Sequence, residues 1–134
     1  MLVRVFYVSE AVAPMSDVDL QVILGAAQIW NRRLDVTGML AQSDGHFAQV
    51  LEGRSEAVAE VLQRIARDRR HTSMRIVLEE AIERRQFARW AMGLVRRDDM
   101  AAEMAELHRV GCASPGLAHA MIDRLLRSPD LPFA

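Results

Sequence analysis

The sequence predicts an α/β (α+β) ferredoxin-like sandwich, βαββαββ with two helices on one sheet face, followed by two C-terminal helices. Three observations predict it: apolar runs of strand length alternate with two helical stripes, an Asp-Gly pair joins the two middle runs, and composition shifts to helix formers after Asp98. Leu2 to Val8 is apolar except for Arg4, as suits a strand buried on both faces. Ser16 and Asp19 form an S-x-x-D capping box. Leu20, Ile23, Leu24 and Ala27 then recur at helical spacing, so a helix is expected from about Asp17 to Asn31. Val36–Gln42 and His46–Glu52 flank Ser43-Asp44-Gly45, the signature of a tight hairpin. Val58, Val61, Leu62 and Ile65 carry a second stripe over Ser55–Asp68, with Arg67, Arg69 and Arg70 at the end where cations complement the helix dipole. Met74–Glu80 and Trp90–Val95 read as strands joined by the charged segment Glu83–Gln86. Two crossover units on one sheet place both helices on the same face.

Met100, Met104 and Leu107 mark a third helix closed by Gly111. Ser114-Pro115 opens a fourth with Leu117, Met121, Ile122 and Leu125 inward, and Ser128-Pro129-Asp130 ends it. Some 30 residues cannot bury two helices by themselves, so these are expected to pack on the open sheet face or on a second subunit. The chain accordingly divides into a sandwich, 1–96, and a helical extension, 97–134.

With 134 residues, 17 basic and 18 acidic groups and a net charge of −1, the chain is sized for one globular core and lacks the basic surplus that phosphate backbones require, so no nucleic acid is expected as partner. All 17 Lys/Arg positions are arginine, which excludes Schiff bases and the P-loop lysine. A single cysteine, Cys112, excludes an intramolecular disulfide and a multi-cysteine zinc site. No apolar run approaches the roughly 18 residues of a membrane span, and MLVRVFYVSE reads as a strand rather than a secretory signal, so no membrane partner and a cytoplasmic location are expected.

Polar residues on buried faces are the informative positions, because each costs about 1–3 kcal/mol when unsatisfied. Strand alternation sets Gln49 between Phe47 and Leu51, and Tyr7 follows Val3 and Val5 on its strand. Asn31 falls where the first helix ends. Each has an ordinary account: a backbone partner for the phenol or the amide, and an asparagine that tolerates a left-handed helix end. Together, a phenol and two carboxamides in an apolar surround suit a planar heteroaromatic ligand lying between the two helices. Trp90 and Met92 lie two apart with Leu94, a pattern that core packing alone explains. The Arg67–His71 cluster can meet a diphosphate. His71 with Asp68 is too sparse for a metal, and His46, His108 and His119 have no partners at ligand spacing.

These residues match a family. The chain from about Leu2 to Val95 resembles the BLUF domain, a blue-light sensor that uses FAD. The resemblance rests on Arg4-Val5-Phe6-Tyr7-Val8-Ser9, on Asn31 with Val36-Thr37-Gly38-Met39-Leu40, and on Gly45-His46-Phe47-Ala48-Gln49-Val50-Leu51-Glu52-Gly53. Ile65 with Asp68-Arg69-Arg70-His71, and Arg85-Gln86-Phe87-Ala88-Arg89-Trp90-Ala91-Met92, complete it. It implies that Tyr7 donates an electron and proton to the excited flavin, that Gln49 lies between phenol and ring, and that Asn31 pairs with the ring's carbonyl and imide edge. It places Arg64 near the pyrimidine side, with Ile65 in the same pocket. Asp68, Arg70 and His71 fall near the ribityl chain and ring. Trp90 and Met92 become the signalling residues of the last strand. FAD is the implied cofactor, with FMN as the alternative.

The resemblance further implies a non-enzymatic photoreceptor, assembled as a dimer or higher homo-oligomer, whose signal passes through the last strand and the C-terminal helices to an unidentified protein partner. Three positions depart from the family pattern: Trp30 stands where a polar residue is common, Ala27 where a serine is, and Asp35 where a glycine is. The indole of Trp30 is placed to stack on the ring or to compete as an electron donor. Two rival functions are compatible with the same fold: an acylphosphatase-like hydrolase and a ligand-free adaptor. The first needs a glycine-rich, arginine-bearing loop after the first strand, where this chain has Ser9-Glu10-Ala11-Val12-Ala13-Pro14.

Overall fold

The computed structural model describes residues 1–89 and 91–127. Its order is β1 (Leu2–Ala11), α1 (Asp17–Leu34), β2 (Thr37–Ser43), β3 (His46–Arg54), α2 (Ser55–Ala66), β4 (His71–Ile82), β5 (Gly93–Arg96), α3 (Ala101–Val110) and α4 (Pro115–Leu126), with short 3-10 turns before and after α3. The sheet runs β4-β1-β3-β2-β5. Its first four strands are antiparallel to their neighbours, while β5 adds to the edge parallel to β2. This is the expected sandwich with one added strand.

Local chemistry accounts for the ends of the elements. The Ser16 hydroxyl accepts from the Asp19 amide at 3.1 Å and the Asp19 carboxylate accepts from the Ser16 amide at 3.0 Å, so the capping box forms in full. At the other end α1 runs one turn past the expected Asn31, and Asp35 takes the left-handed conformation (φ 54°) that stops it. The left-handed role considered for Asn31 therefore falls to Asp35. Asp44 and Gly45 both have positive φ and close the β2–β3 hairpin as a two-residue turn.

Each strand of the centre is buried on both sides. Val5, Leu40, Phe47, Leu51, Met92 and Leu94 face α1 and α2 and pack on Leu20, Leu24, Val58 and Val61. On the opposite face Phe6, Val8, Met39, Ala48 and Val50 meet Met100, Met104, Leu107, Met121, Ile122 and Leu125 of the C-terminal helices and the turn before them. Within the described residues, α3 and α4 thus take the open sheet face, the first of the two expected placements. Leu117 is only partly buried there, and Ser128-Pro129-Asp130 lies outside the described residues.

Two strand boundaries depart from expectation. β4 begins at His71 and reaches Ile82, because pairing with β1 continues from Ala11↔His71 to Leu2↔Ile82 through two register shifts. β5 begins only at Gly93. Met92 therefore precedes the last strand instead of lying on it, and Trp90 lies outside the described residues. The chain must pass from one edge of the sheet to the other between β4 and β5, which uses up residues 83–92.

Gly38 occupies the tightest point of the sheet, since a Cβ there would collide with the Val50 carbonyl oxygen of β3. Gly38→Ala is expected to lower unfolding stability by about 1–3 kcal/mol through overpacking against backbone that cannot yield. A urea unfolding midpoint equal to that of the parent would contradict this close approach.

Candidate functional site

Between α1, α2 and the sheet lies a cavity of about 160 Å³. All eight residues expected to hold a ligand, Tyr7, Asn31, Gln49, Arg64, Ile65, Asp68, Arg70 and His71, line it. Antiparallel register brings Tyr7 of β1 directly opposite Gln49 of β3, and alternation turns both toward the helices. The Tyr7 hydroxyl donates to Gln49 Oε1 at 2.5 Å. The other end of that amide, Nε2, donates to the Met92 sulfur at 3.3 Å, and a thioether is a weak acceptor. The phenol and both amide termini are thus engaged in one buried line, Tyr7–Gln49–Met92. Burial pushes the Tyr7 pKa well above its ordinary value, and the Asp68 carboxylate adds to the shift, so the phenol stays protonated.

Asn31 is 1% exposed although it sits on the last turn of α1. Its Nδ2 donates to the Ala91 carbonyl at 2.7 Å, leaving the amide oxygen as the acceptor it offers at the cavity wall. One turn earlier, Gln28 Nε2 donates to the Met92 carbonyl at 3.1 Å. Two carboxamides of α1 therefore hold the chain where it enters β5. Sequence patterning did not single out Gln28, because its partner lies 64 residues away in a segment with no periodicity.

His71 joins β4 to the end of α2. Its Nε2 lies 2.6 Å from the Ile65 carbonyl, which can only accept, so Nε2 carries a proton and Nδ1, at 2.7 Å, accepts from the Ser9 hydroxyl in the neutral ring. Asp68 takes both Nε and an Nη of Arg70, and this pairing, with the Arg70 amide, holds the carboxyl below the usual carboxylate range. The arginine expected near a diphosphate is thereby engaged within its own loop. At the mouth Arg64 lays its guanidinium 3.4 Å over the Trp30 indole, tying α2 to α1. Among the described residues no group of three or more potential metal ligands occurs, and no helix is long and apolar enough to cross a membrane.

The largest gap in the sequence reading is Glu52. It is fully buried on the sheet face opposite the cavity and is ion-paired with Arg4, its cross-strand neighbour, at 2.7 Å. A lone acidic residue inside a strand otherwise buried on both faces was the available signal.

The residues present fit a flavin ring. Leu40, Phe47 and Val61 give apolar walls, and a phenol and two amides can read a ring edge that has donors and acceptors. Comparison with known proteins agrees. The family described as BLUF, sensors of blue-light using FAD, matches residues 2–93. The photoactivated adenylate cyclase subunit beta of Euglena longa is 36% identical over 92 residues, which make up 68% of this chain and 11% of that protein. Its counterpart in Euglena gracilis is 35% identical over the same length and again only 11% covered. Among solved structures, BlsA in its photo-activated state superposes with a TM-score of 0.81 at 26% identity, covering 96% of each chain. BlrB, a BLUF protein in its dark state, gives 0.78 at 29% identity over 93% of this chain and 95% of its own.

Tyr7 is the sole tyrosine, so its ionisation can be followed without interference. Its raised folded-state pKa means that the contribution to stability is complete below the unfolded value of about 10 and is lost as pH rises beyond it, at about 1.4 kcal/mol per pH unit. Tyrosinate absorbance is expected to appear only together with unfolding. Tyrosinate formed near pH 10 while circular dichroism remains native would contradict the buried, neutral phenol.

Proposed function

Because this chain belongs to the BLUF family, the sensors of blue light using FAD, we propose that its cavity between α1 and α2 holds the flavin ring and that Tyr7 and Gln49 convert light into a rearranged hydrogen-bond network. The observation that carries this reading is the direct opposition of Tyr7 and Gln49, joined at 2.5 Å in the cavity wall. The bound flavin supplies a light-absorbing ring that becomes a strong one-electron oxidant when excited.

With the flavin bound and excited, Tyr7 would pass an electron and its phenolic proton to the ring, since a buried phenol of raised pKa would not release the proton to solvent. Loss of that proton removes the donor that fixes Gln49 Oε1, and the amide is free to exchange the ends it presents. Since Nε2 is held only by a thioether, little opposes the change. Tyr7 then recovers its electron and proton, so no substrate is consumed, and the altered amide remains as the record of light.

Asn31 is assigned to the ring's carbonyl and imide edge, where its oxygen is offered. Arg64 and Ile65 are assigned to the cavity mouth, and Asp68, Arg70 and His71 to the ribityl side. FAD is taken as the cofactor on the strength of the family description. Met92 touches Gln49 and immediately precedes β5, which supports a signal passing through β5 and the helices 101–126 to a protein partner, in a homo-oligomer. Trp90 is assigned the same signalling role on resemblance alone. Light-regulated adenylyl cyclase activity belongs to relatives of which this chain matches a minor part, and a cyclase-type effector is one chemistry such a partner could have.

Blue light is expected to red-shift the flavin absorption of the purified protein reversibly and without bleaching. Tyr7→Phe and Gln49→Leu should each abolish the shift while flavin stays bound. A normal shift in both variants would end the assignment, and FMN in place of FAD in the released cofactor would revise it.

A further inference from the structure

Between β4 and β5 the chain crosses from one edge of the sheet to the other, and its described residues 83–89 and 91–92 belong to no strand or helix, so their backbone donors need partners elsewhere. Two of them converge on one side chain. The Phe87 amide donates to Glu52 Oε1 at 2.7 Å and the Gln86 amide to Glu52 Oε2 at 3.2 Å. Glu52 is held in turn by Arg4, whose Nε lies 2.8 Å from Oε2 and whose Nη1 also reaches Glu80 at 2.7 Å. Phe87 is itself fully buried in the core beneath the C-terminal helices, which fixes the same point of the segment by packing.

A buried carboxylate costs several kcal/mol unless its oxygens are satisfied, and here four polar groups satisfy them. The cost is unnecessary for a strand residue facing an apolar core. A leucine of similar size would serve packing equally well, but it would leave the buried Phe87 amide and the part-buried Gln86 amide without this acceptor.

The other end of the segment is held by α1, through Asn31 on the Ala91 carbonyl and Gln28 on the Met92 carbonyl. Only the span between Phe87 and Ala91, at most about 14 Å of chain, separates the two anchorages. With Phe87 pinned to β3 and Met92 touching the β3 amide of Gln49, the segment is referred at both ends to the strand that carries the switch.

We propose that Glu52 is a positioning residue for the light response: its buried carboxylate fixes the crossing segment at Gln86 and Phe87 and so sets the Met92 sulfur against the Gln49 amide. This role rests on the light-sensing reading above. When the amide rearranges, the held Phe87 end gives the Met92 end a fixed point to move against, and the same hold governs how readily the dark arrangement returns.

The test uses the full chain with flavin bound. Glu52→Gln keeps size and one acceptor but loses the second charged oxygen, while Arg4 retains Glu80. Glu52→Asp keeps the charge and withdraws it by one methylene, out of reach of the two amides. In either variant, amide hydrogen exchange in darkness at residues 86–92 should rise at least tenfold, with the β1–β3 amides unchanged. The light-induced shift should keep its size, while its dark reversion should accelerate at least threefold. Glu80→Gln removes the neighbouring ion pair and should change neither quantity.

Unchanged exchange at residues 86–92, or faster exchange with an unchanged reversion rate, would overturn the proposal. Failure of both Glu52 variants to fold would also overturn it, by assigning the carboxylate to stability alone. A parent protein with no light response would defeat the sensing reading and this role with it. The exchange measurement in darkness would still report whether the carboxylate holds the segment, so the two failures are distinguishable.

Discussion

The register between β1 and β3 is the constraint on which the rest of this structure depends. Nine consecutive residues of β1 find partners on β3 without a shift, from Leu2↔Arg54 to Glu10↔His46. Within that ladder Tyr7 meets Gln49 on one face and Arg4 meets Glu52 on the other. A slip of β1 by one residue would part both polar pairs, turning the Tyr7 phenol toward the apolar core under α3 and Arg4 toward the cavity. The continuous β1–β3 pairing contrasts with β1–β4, where two irregularities are absorbed at an outer strand. The structure places its irregularity where no site residue of β3 is affected.

Much of this was legible in the sequence because it is local or periodic. Ser16 and Asp19 announce the start of α1, Asp44-Gly45 the hairpin, and the alternation around Phe47, Gln49 and Leu51 the face that Gln49 shares with Tyr7. With the family resemblance added, eight of the residues that line the cavity were named from the sequence. What escaped is non-local. The start of β5 depends on pairing with β2, and Met39↔Gly93 is its first partner, so nothing in Ala91-Met92 marks those residues as outside the strand. Asn31 is explained by a carbonyl 60 residues away, and Glu52 by a guanidinium 48 residues away and amides 34 and 35 residues away. Periodicity reports which side a residue faces and is silent about what crosses over it.

The two faces of the sheet serve different ends. Under α3 and α4 the space is filled by methionine, leucine and isoleucine side chains that are almost wholly buried. Between α1 and α2 the facing residues include Ala26, Ala27 and Leu40, and room for a ligand remains. The cavity is thus a property of side-chain size on α1 as much as of the fold. Its mouth carries the Trp30 indole, stacked beneath an arginine that bridges both helices. The stack places a cation against the face of Trp30, which disfavours removing an electron from the indole.

The division of polar pairs between the faces follows from what each must do. A neutral hydrogen bond such as Tyr7–Gln49 contributes a net 0.5–1.5 kcal/mol or so, and its amide can exchange donor for acceptor without moving the backbone. Breaking a buried ion pair such as Arg4–Glu52 by loss of one partner costs about 3–5 kcal/mol. The neutral pair is thus the weaker of the two holds on β3, and the ion pair the stronger. Both contact the same crossing segment, Gln49 at Met92 and Glu52 at Gln86 and Phe87. The crossing segment is therefore held from β3 by a weak neutral contact on one face of the sheet and by an ion-paired carboxylate on the other.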